Sequence, residues 1–512
     1  MSARRFVGSA LAIAVLLALS VVGGLAYLRQ LALGDVVTSL RTLGAGGAVW
    51  GLYVVADGFL LGSGVAVMAA ACLARFSRDR EMEAVARIAM PVALTCFLAA
   101  ALCVLADQGR PGAGLANLAR FARPASPLFA TFTGLAAVCL VGSLVHCVLA
   151  RRPDLAEYAK RPSRWQAMQR LLAAGYRGSE AQRYRRQKVG FWMSLLMLPL
   201  LAVPLAALAI IFTVRPGRPL LLGVYEAVAF TVSAGAGGLG LLVLAAASVG
   251  WLAGPRAGLG ARGFARLGRG LLLVDALAVL LAVVTEIASL TSGEPSAEAC
   301  ARALLGDAYG PLFWGELGLF FLAGSVLFWA AWHRRFWPGW VVAASALSVA
   351  AVGLQRYVGL VSWQTHGLLL PYPPGSYTPS WVELAVVGGV LALSLLALLP
   401  AVRLIPFAPA AHDEQPATGP SSDGRRALVT GLWLAVGCFL AAAGLLLSWR
   451  VGTEAFLDPV VPGSPVVLVA GLAFLLTAGA VYEILPDRAA TAAGAGELAT
   501  PTAPPPPQGA EP

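Results

Sequence analysis

The stretch "LLLVDALAVLLAVVTEIASLT", residues 271–291, is apolar over the length of a membrane-crossing helix, yet it contains two acids. About 20 apolar residues are enough for an α-helix to cross the hydrocarbon core of a bilayer. Asp275 and Glu286 are eleven positions apart, which places them on nearly one helix face, ~16 Å apart along the axis. A charge at the bilayer centre costs at least ~2.5 kcal/mol, so two acids in this segment indicate a function.

The composition of the whole chain agrees with a membrane location. Hydrophobic residues make up 58% of the 512 positions and charged residues 12%, about half the charged fraction of a soluble domain. The sequence therefore predicts an all-α polytopic membrane protein with about twelve transmembrane helices. The predicted spans, numbered 1 to 12 in chain order, are 6–28, 48–74, 88–107, 127–150, 190–213, 224–250, 268–291, 311–332, 338–362, 380–404, 427–449 and 464–485.

The basic residues sort by loop. The net charge of +11 could indicate nucleic acid, but there is no basic patch of the kind that a nucleic-acid groove needs. With the N-terminus in the cytoplasm, the inner segments hold 27 Lys and Arg and the outer loops hold nine. Because cationic loops are retained in the cytoplasm, this distribution predicts that both termini are cytoplasmic, and it argues against a nucleic-acid partner.

Two basic segments allow alternative interpretations. The first span follows Arg4 and Arg5 and could be a cleaved signal peptide, although it is long for one and lacks a clear cleavage site. The loop 151–189, which ends in "RYRRQK", either lies as a helix on anionic lipid or only anchors the topology.

Cysteines and histidines exclude several cofactor classes. The seven cysteines form no CxxC or CxxCH motif, and Cys300 lies alone in an outer loop. His146 is the one histidine inside a predicted span, whereas a cytochrome b needs paired axial histidines on facing helices. The sequence therefore predicts no metal site, no haem and no iron–sulfur cluster in this chain.

An internal repeat suggests the domain organisation. Span 4 begins "PLFATFTGLAAV" at Pro127 and span 8 begins "PLFWGELGLFFL" at Pro311, an offset of 184 residues. The offset predicts two parallel four-helix units, with chance similarity in Gly- and Leu-rich sequence as the alternative. The predicted division is 1–47 for an N-terminal helix and outer loop, 48–213 for the first bundle, 214–362 for the second bundle, 363–404 for an outer loop and helix 10, 405–426 for a polar linker, 427–485 for two C-terminal helices, and 486–512 for a disordered Ala- and Pro-rich tail.

Most charges within the spans are predicted to lie in the outer half of the membrane. Asp275 and His146 are the exceptions toward the inside. This asymmetry favours a polar site that opens outward over a transport site at the midplane. The outer group consists of Asp57, Asp107, Glu226, Glu286, Glu316, Arg356 and Glu383.

Helix capping is an alternative explanation for some of these acids. Glu226, Glu316 and Glu383 fall in the first turns of their predicted helices, where an acid complements the helix dipole, and capping is favoured for Glu226 and Glu383. Asp57 lies about two turns into its span, beside a patch of small residues, and has no such explanation.

The remaining two charges keep two interpretations each. Arg356 either neutralises Glu286 or Glu316 or contributes to a ligand site. Asp275 is either a proton-relay residue or the partner of a polar group on span 6 or span 8.

Five features together resemble the NrfD-like family, the integral-membrane, quinone-reactive subunits of polysulfide reductase and related complexes. The resemblance covers roughly residues 48–404, and this sequence departs from the family pattern at two positions. Gln108 stands where the family's usual Asp-Leu-Gly-Arg-Pro motif has leucine. The polar residue that often follows the helix-9 arginine in the family is Tyr357 here. The features are "WGLYVVADGFLLGSG" (50–64), "ADQGRP" (106–111) followed by "RPASP" (123–127), the glutamate of span 7, "LQRYVGL" (354–360) and "PYPPGSYTPSWVELAVVGG" (371–389).

The resemblance implies two four-helix bundles in a bacterial-type inner (cytoplasmic) membrane, with a quinone site in the first bundle near the outer face. The expected quinone is menaquinone or ubiquinone. Electrons are expected to pass between this quinone and an outer-face iron–sulfur subunit, which serves a molybdenum enzyme or a multihaem cytochrome.

Quinol oxidation releases two protons, so a carboxylate or tyrosine is expected within hydrogen-bond reach of the quinone oxygen. We expect Tyr53, Asp57 and Asp107 around the headgroup. Arg110 is expected either to hold Asp107 ionised or to dock the partner. A proton path through the second bundle is expected to use Glu286 and Asp275, with Arg356 biasing Glu286.

Two other functions remain open from the sequence. One is a twelve-helix secondary transporter whose buried acids couple ions to a solute. Against it, the long basic loop follows span 4 rather than span 6, and the loop after span 2 lacks the major-facilitator glycine pattern. The other is a membrane anchor that only holds a redox partner.

Overall fold

The computed structural model describes residues 3–41, 47–77, 80–121, 134–213, 220–253, 258–306, 309–365, 375–404, 424–448 and 463–485. Across these ranges the chain forms fifteen α-helices, one 3₁₀-helix and one π-helical segment, and no strand. The predicted all-α fold is confirmed. The linker up to residue 423, the tail from residue 486 and the "RPASP" motif lie outside the described residues.

Twelve of the described helices are long and apolar enough to cross a membrane, which confirms a multi-pass membrane protein. The helices are α1 Ala3–Leu33, α2 Leu52–Phe76, α3 Arg80–Asp107, α4 Pro111–Phe121, α5 Ser143–Tyr158 with the π segment Gly134–Gly142 before it, α6 Gln166–Ala173, α7 Glu180–Thr213, α8 Leu220–Ala253, α9 Ala261–Leu290, α10 Pro295–Leu305, α11 Gly310–Trp332, α12 Pro338–Thr365, α13 Trp381–Leu404, α14 Gly424–Ser448 and α15 Ser464–Ile484, and the 3₁₀-helix is Asp35–Val37. The shorter helices α4, α6 and α10 connect spans.

The spanning helices contact one another in two groups. The first contains α2, α3, the π segment with α5, and α7, and the second contains α8, α9, α11 and α12. Helix α2 also packs against α8 and α12, and α7 packs against α8, so the two groups share a long interface. The residue boundaries of the two predicted bundles stay a prediction.

Small residues bring the flanking helices close together. A Cβ atom on Gly23 of α1 would lie 2.6 Å from the Cα atom of Gly389 on α13, and one on Gly471 of α15 would overlap the backbone of Ala441 on α14. Such contacts let helix backbones approach closely in a membrane. Helix α13 also contacts α2 and α3, while α15 contacts the π segment, α4, α5 and α7. Both pairs therefore flank the first helix group.

The two ends of the molecule differ in charge. The acidic end is the one where α2 begins, α3 ends and α13 begins, and it carries Asp35 and Glu383. The basic end is the one where α2 ends, α5 ends and α7 begins, and it carries Arg75, Arg151 and Arg186. Much of the predicted basic loop is helical, because α5 runs to Tyr158 and α7 begins at Glu180.

The helix boundaries correct two predictions about the acids. Glu226 and Glu316 are the seventh residues of α8 and α11, so placing them in first turns was wrong. Glu383 lies in the first turn of α13, as predicted. Helix α9 begins at Ala261, so Asp275 is the fifteenth of its thirty residues, and its predicted place toward the inner side of the membrane stays a prediction. Helices extend beyond the apolar core, which hydropathy alone does not reveal.

Candidate functional site

Asp57 of α2 has a buried carboxyl group with an unsatisfied oxygen. Its side chain is 6% exposed, and its Oδ1 atom has no hydrogen-bond partner among the described residues. Asp107, at the end of α3, is close enough to interact with it electrostatically, and both acids interact with the buried Cys103. Buried polar atoms are almost always hydrogen-bonded. The arrangement therefore leaves an acceptor available to a donor from outside the described chain.

Tyr53 connects this pair of acids to the surface of the acidic end. The buried Tyr53 hydroxyl donates to Gln30 Oε1 at 2.7 Å. The Gln30 amide donates in turn to Asp35 Oδ1 at 3.0 Å, and Asp35 is exposed. Asp107 interacts electrostatically with both Tyr53 and Asp35. The structure thus brings Tyr53, Asp57 and Asp107 together, while their role stays a prediction.

The turn after α3 holds Asp35 next to Asp107. Gly109 has a φ of +60°, and a Cβ atom there would lie 3.3 Å from Asp35 Oδ2. The left-handed backbone favours glycine at this position. The charged groups that interact with Asp107 are the acids Asp35, Asp57 and Glu383, whereas Arg110 is exposed. Both predicted roles of Arg110, in ionising Asp107 and in docking the partner, stay predictions.

Glu383 ties two loops to the start of α2. Its Oε2 atom accepts the backbone N–H groups of Ser39 and Ser380, each at 2.9 Å, and its Oε1 atom accepts the Tyr377 hydroxyl. The Tyr377 oxygen accepts the backbone N–H of Leu52 at 2.8 Å. Burial and the Glu383 carboxylate raise the pKa of Tyr377, so the tyrosine stays a donor.

The capping role predicted for Glu383 is confirmed. Its backbone N–H donates to Ser380 Oγ at 3.2 Å while its carboxylate accepts the Ser380 N–H, the reciprocal pattern of a capping box. The structure adds a second role, because the same carboxylate also holds Ser39 and Tyr377.

We expect Glu383→Ala to speed hydrogen exchange at the Ser39 and Ser380 amides about tenfold or more, because both lose a buried charged acceptor. Exchange followed by mass spectrometry measures this change. Glu383→Gln, which keeps an acceptor oxygen, serves as the control and should have a smaller effect. Unchanged exchange in Glu383→Ala would show that the carboxylate does not hold these loops.

A cavity of about 120 Å³ lies at the interface of the two helix groups. Val54, Val55 and Gly58 of α2 contribute to its wall, and these residues flank Asp57 in the sequence. Phe212, Phe230 and Phe313 make part of the lining aromatic. Four charged residues singled out from the sequence also line it, namely Glu226, Glu286, Glu316 and Arg356.

Arg356 is anchored within this cavity. Its guanidinium donates to the Phe230 carbonyl at 2.6 Å and stacks over the Phe230 ring at 3.5 Å from the centroid. Glu316 is the acid that interacts with Arg356, and Glu286 interacts with Glu316. The Arg356 Nε atom has no hydrogen-bond partner among the described residues. Of the two structural partners considered for Arg356, Glu316 is the one with which it interacts electrostatically.

Asp275 has a partner on a helix that the sequence did not suggest. The buried carboxylate accepts the Ser348 hydroxyl at 2.7 Å, and Ser348 belongs to α12, the ninth span. The expectation of a partner on span 6 or span 8 was therefore wrong, because α9 also packs against α12. Asp275 does not belong to the cavity lining drawn from the described residues, whereas Glu286 on the same helix does.

A family model described as "Polysulphide reductase, NrfD" matches residues 43–366 of the chain. The chain belongs to the NrfD family. A putative membrane subunit of dimethyl sulfoxide reductase from Halobacterium salinarum is 26% identical to it over 437 residues, which cover 79% of this chain and 93% of that protein. The NrfD-family chain is thus a multi-pass membrane subunit of a redox complex.

The NrfD match is shorter than the resemblance predicted from the motifs. The motifs 50–64, 106–111 and 354–360 fall within the matched residues, but 371–389 lies beyond them. Tyr377 and Glu383 therefore belong to a part of the chain that the family model does not cover, as do α13, α14 and α15.

Proposed function

We propose that this NrfD-family chain exchanges electrons between the membrane quinone pool and an iron–sulfur subunit bound at its acidic end, and that its buried carboxylates transfer the protons. The observation that carries the proposal is the unsatisfied, buried Oδ1 atom of Asp57. A quinol hydroxyl is a donor of the kind that this acceptor needs. The Asp57 carboxyl group therefore fits the hydroxyl of a quinol headgroup.

The side chains around Asp57 have separate tasks in this proposal. A bound quinol would supply the two-electron chemistry. Asp57 accepts the hydroxyl proton as the general base, and Asp107, which interacts with it electrostatically, is the next proton acceptor. Tyr53, fixed by its hydrogen bond to Gln30, shapes the wall of the site. Asp35, exposed and bound to Gln30, connects the site to solvent.

We infer the partner and the orientation from the distribution of charge. We place the basic end in the cytoplasm because cationic segments are retained there, which puts the acidic end outside a bacterial-type inner membrane. Arg110, exposed at this end, is available to an iron–sulfur partner. The relative named as a dimethyl sulfoxide reductase subunit supports a molybdenum enzyme beyond that partner, and a multihaem cytochrome is the alternative.

The cavity at the interface of the helix groups forms the second part of the proposal. Glu286 and Glu316 interact with each other there, and Arg356 interacts with Glu316. We propose that these residues pass protons, with Arg356 favouring the ionised form of its neighbour and Asp275 continuing the path along α9. The same acids would serve an ion-coupled transporter, which remains the second candidate function.

Quinol-driven reduction of the partner tests the proposal. The complex is purified with its partner, a soluble quinol analogue is added anaerobically, and the iron–sulfur signal is followed by electron paramagnetic resonance. We expect reduction only in preparations that contain this chain. An iron–sulfur partner that is bound but stays oxidised, together with solute uptake by the chain alone in proteoliposomes, would favour the transporter.

A further inference from the structure

Arg75, at the basic end of α2, is an arginine with no fixed partner. Among the described residues its guanidinium makes no hydrogen bond and no ion pair within 4 Å. An arginine carries five N–H donors, so this side chain can bind an anion. It is only partly exposed, because it lies against the neighbouring helix α7.

The charges around Arg75 leave an excess of positive charge. Arg151 and Arg186, both buried, repel it electrostatically. Two acids attract it, but each is bound to another arginine: Glu83 to Arg87 at 2.7 Å and Glu483 to Arg152 at 2.5 Å. Clustered like charges of this kind favour an anion from outside the chain.

The seam between α2 and α7 beside Arg75, here called the crevice, is where such an anion would meet the guanidinium. A Cβ atom on Gly190 of α7 would lie 3.4 Å from Arg75 Nη1, so the guanidinium lies over a residue without a side chain. Lys188, two residues earlier on α7, is exposed. The crevice is thus bounded by basic groups on both helices.

Exposed aromatic rings continue the crevice toward the apolar part of the helices. Phe76 packs edge-on against Phe191 at 5.4 Å, and Phe191 packs against Trp192 at 5.6 Å. Their exposed fractions are 36%, 48% and 58%. On spanning helices such surfaces face lipid, and tryptophan is enriched at the level of the headgroups. The crevice therefore lies where lipid phosphates are found.

We propose that this crevice binds the headgroup of an anionic phospholipid. Arg75 donates to the phosphate oxygens, Arg186 and Lys188 add positive charge, and the acyl chains lie along Phe76, Phe191 and Trp192. Guanidinium groups match phosphate geometry with paired hydrogen bonds. The lipid source is favoured over free phosphate because the aromatic rings extend the site into the apolar zone. The proposal does not depend on quinone chemistry.

Native mass spectrometry of the delipidated full-length protein, titrated with phosphatidylglycerol, tests the site. We expect one tightly bound phosphatidylglycerol in the wild type and about tenfold weaker binding in Arg75→Gln, which loses the charge-assisted bonds. The matched control is Arg177→Gln, an exposed arginine in the connection between α6 and α7. It should change binding less than about twofold, since it removes the same charge elsewhere. Equal losses in the two variants would overturn the proposal.

Two further measurements keep the test independent of how Arg75→Gln folds. In wild-type protein, phosphatidylglycerol should slow hydrogen exchange near the end of α2 and around Gly190, while phosphatidylcholine and inorganic phosphate should not. Protection by inorganic phosphate alone would contradict a lipid site. Arg75→Lys keeps the charge and should bind with intermediate strength, because an ammonium lacks the paired donors.

Discussion

Asp57→Asn should lower quinol-dependent electron transfer at least ~100-fold while the complex still assembles, because general bases contribute factors of about 10² to 10⁴. Asparagine has nearly the same shape as aspartate but cannot accept the quinol proton. In the wild type, Asp57 is 6% exposed and its Oδ1 atom has no hydrogen-bond partner among the described residues, so it is available to the quinol hydroxyl. Quinol-driven reduction of the partner's clusters, measured at saturating quinol, gives the rate.

Two variants control for the general effect of changing a buried polar group. Asp107→Asn, one step further from the quinol, should lower the rate by about tenfold. Ser394→Ala removes another buried oxygen that has no partner in the described part of the chain, and it lies on α13 away from the proposed site. It should stay within about twofold of the wild type. A wild-type rate in Asp57→Asn, with intact assembly, would remove Asp57 from the mechanism.

Glu483→Ala is expected to have the largest effect on stability. Glu483 of α15 and Arg152 of α5 form an ion pair at 2.5 Å, and each side chain is 1% exposed. Arg152 also donates to the carbonyl groups of Ala173 and Ala174, each at 3.0 Å, so it cannot leave the site freely. Removing one partner of a buried pair costs ~3–5 kcal/mol because the other charge stays buried. Unfolding of the purified protein in mixed micelles measures the loss.

The same experiment separates the buried charge from the packing around it. The double variant Arg152→Met with Glu483→Leu removes both charges and should recover part of the lost stability. Glu298→Ala breaks the exposed pair with Arg302, whose side chains are 30% and 71% exposed, and should cost less than ~1 kcal/mol. If Glu483→Ala were as mild as Glu298→Ala, the pair would not hold α15 to the first helix group.

The spanning helices could be predicted from the sequence because a bilayer requires each crossing backbone to satisfy its own hydrogen bonds. The proximity of Tyr53 and Asp57 was also predictable, since residues four apart share a helix face. The role of Gln30 could not be predicted, because a single uncharged amide near the end of an apolar span gives no distinct signal in the hydropathy pattern. Tyr377 lies in the motif 371–389, but its hydrogen bond with Leu52 joins positions 325 residues apart and could not be predicted from that motif.

The remaining errors have a common origin in information that hydropathy lacks. Apolar runs do not mark where α8 and α11 begin, and the prediction that Glu226 and Glu316 lie in first turns is wrong for that reason. Hydropathy also does not identify which helices are neighbours. The predicted partner of Asp275 on span 6 or 8 is therefore wrong, and the partner is Ser348 on α12.

Photo-crosslinking with an azidoquinone tests the central claim most directly, because it locates the headgroup without relying on a rate. The purified complex is illuminated with the probe, digested and mapped by mass spectrometry, with excess quinol as competitor. We expect competed labels on α2 and α3, near Asp57 and Asp107. Labels confined to α8 and α11, near Glu226 and Glu316, would place the quinone in the cavity and contradict the Asp57 site.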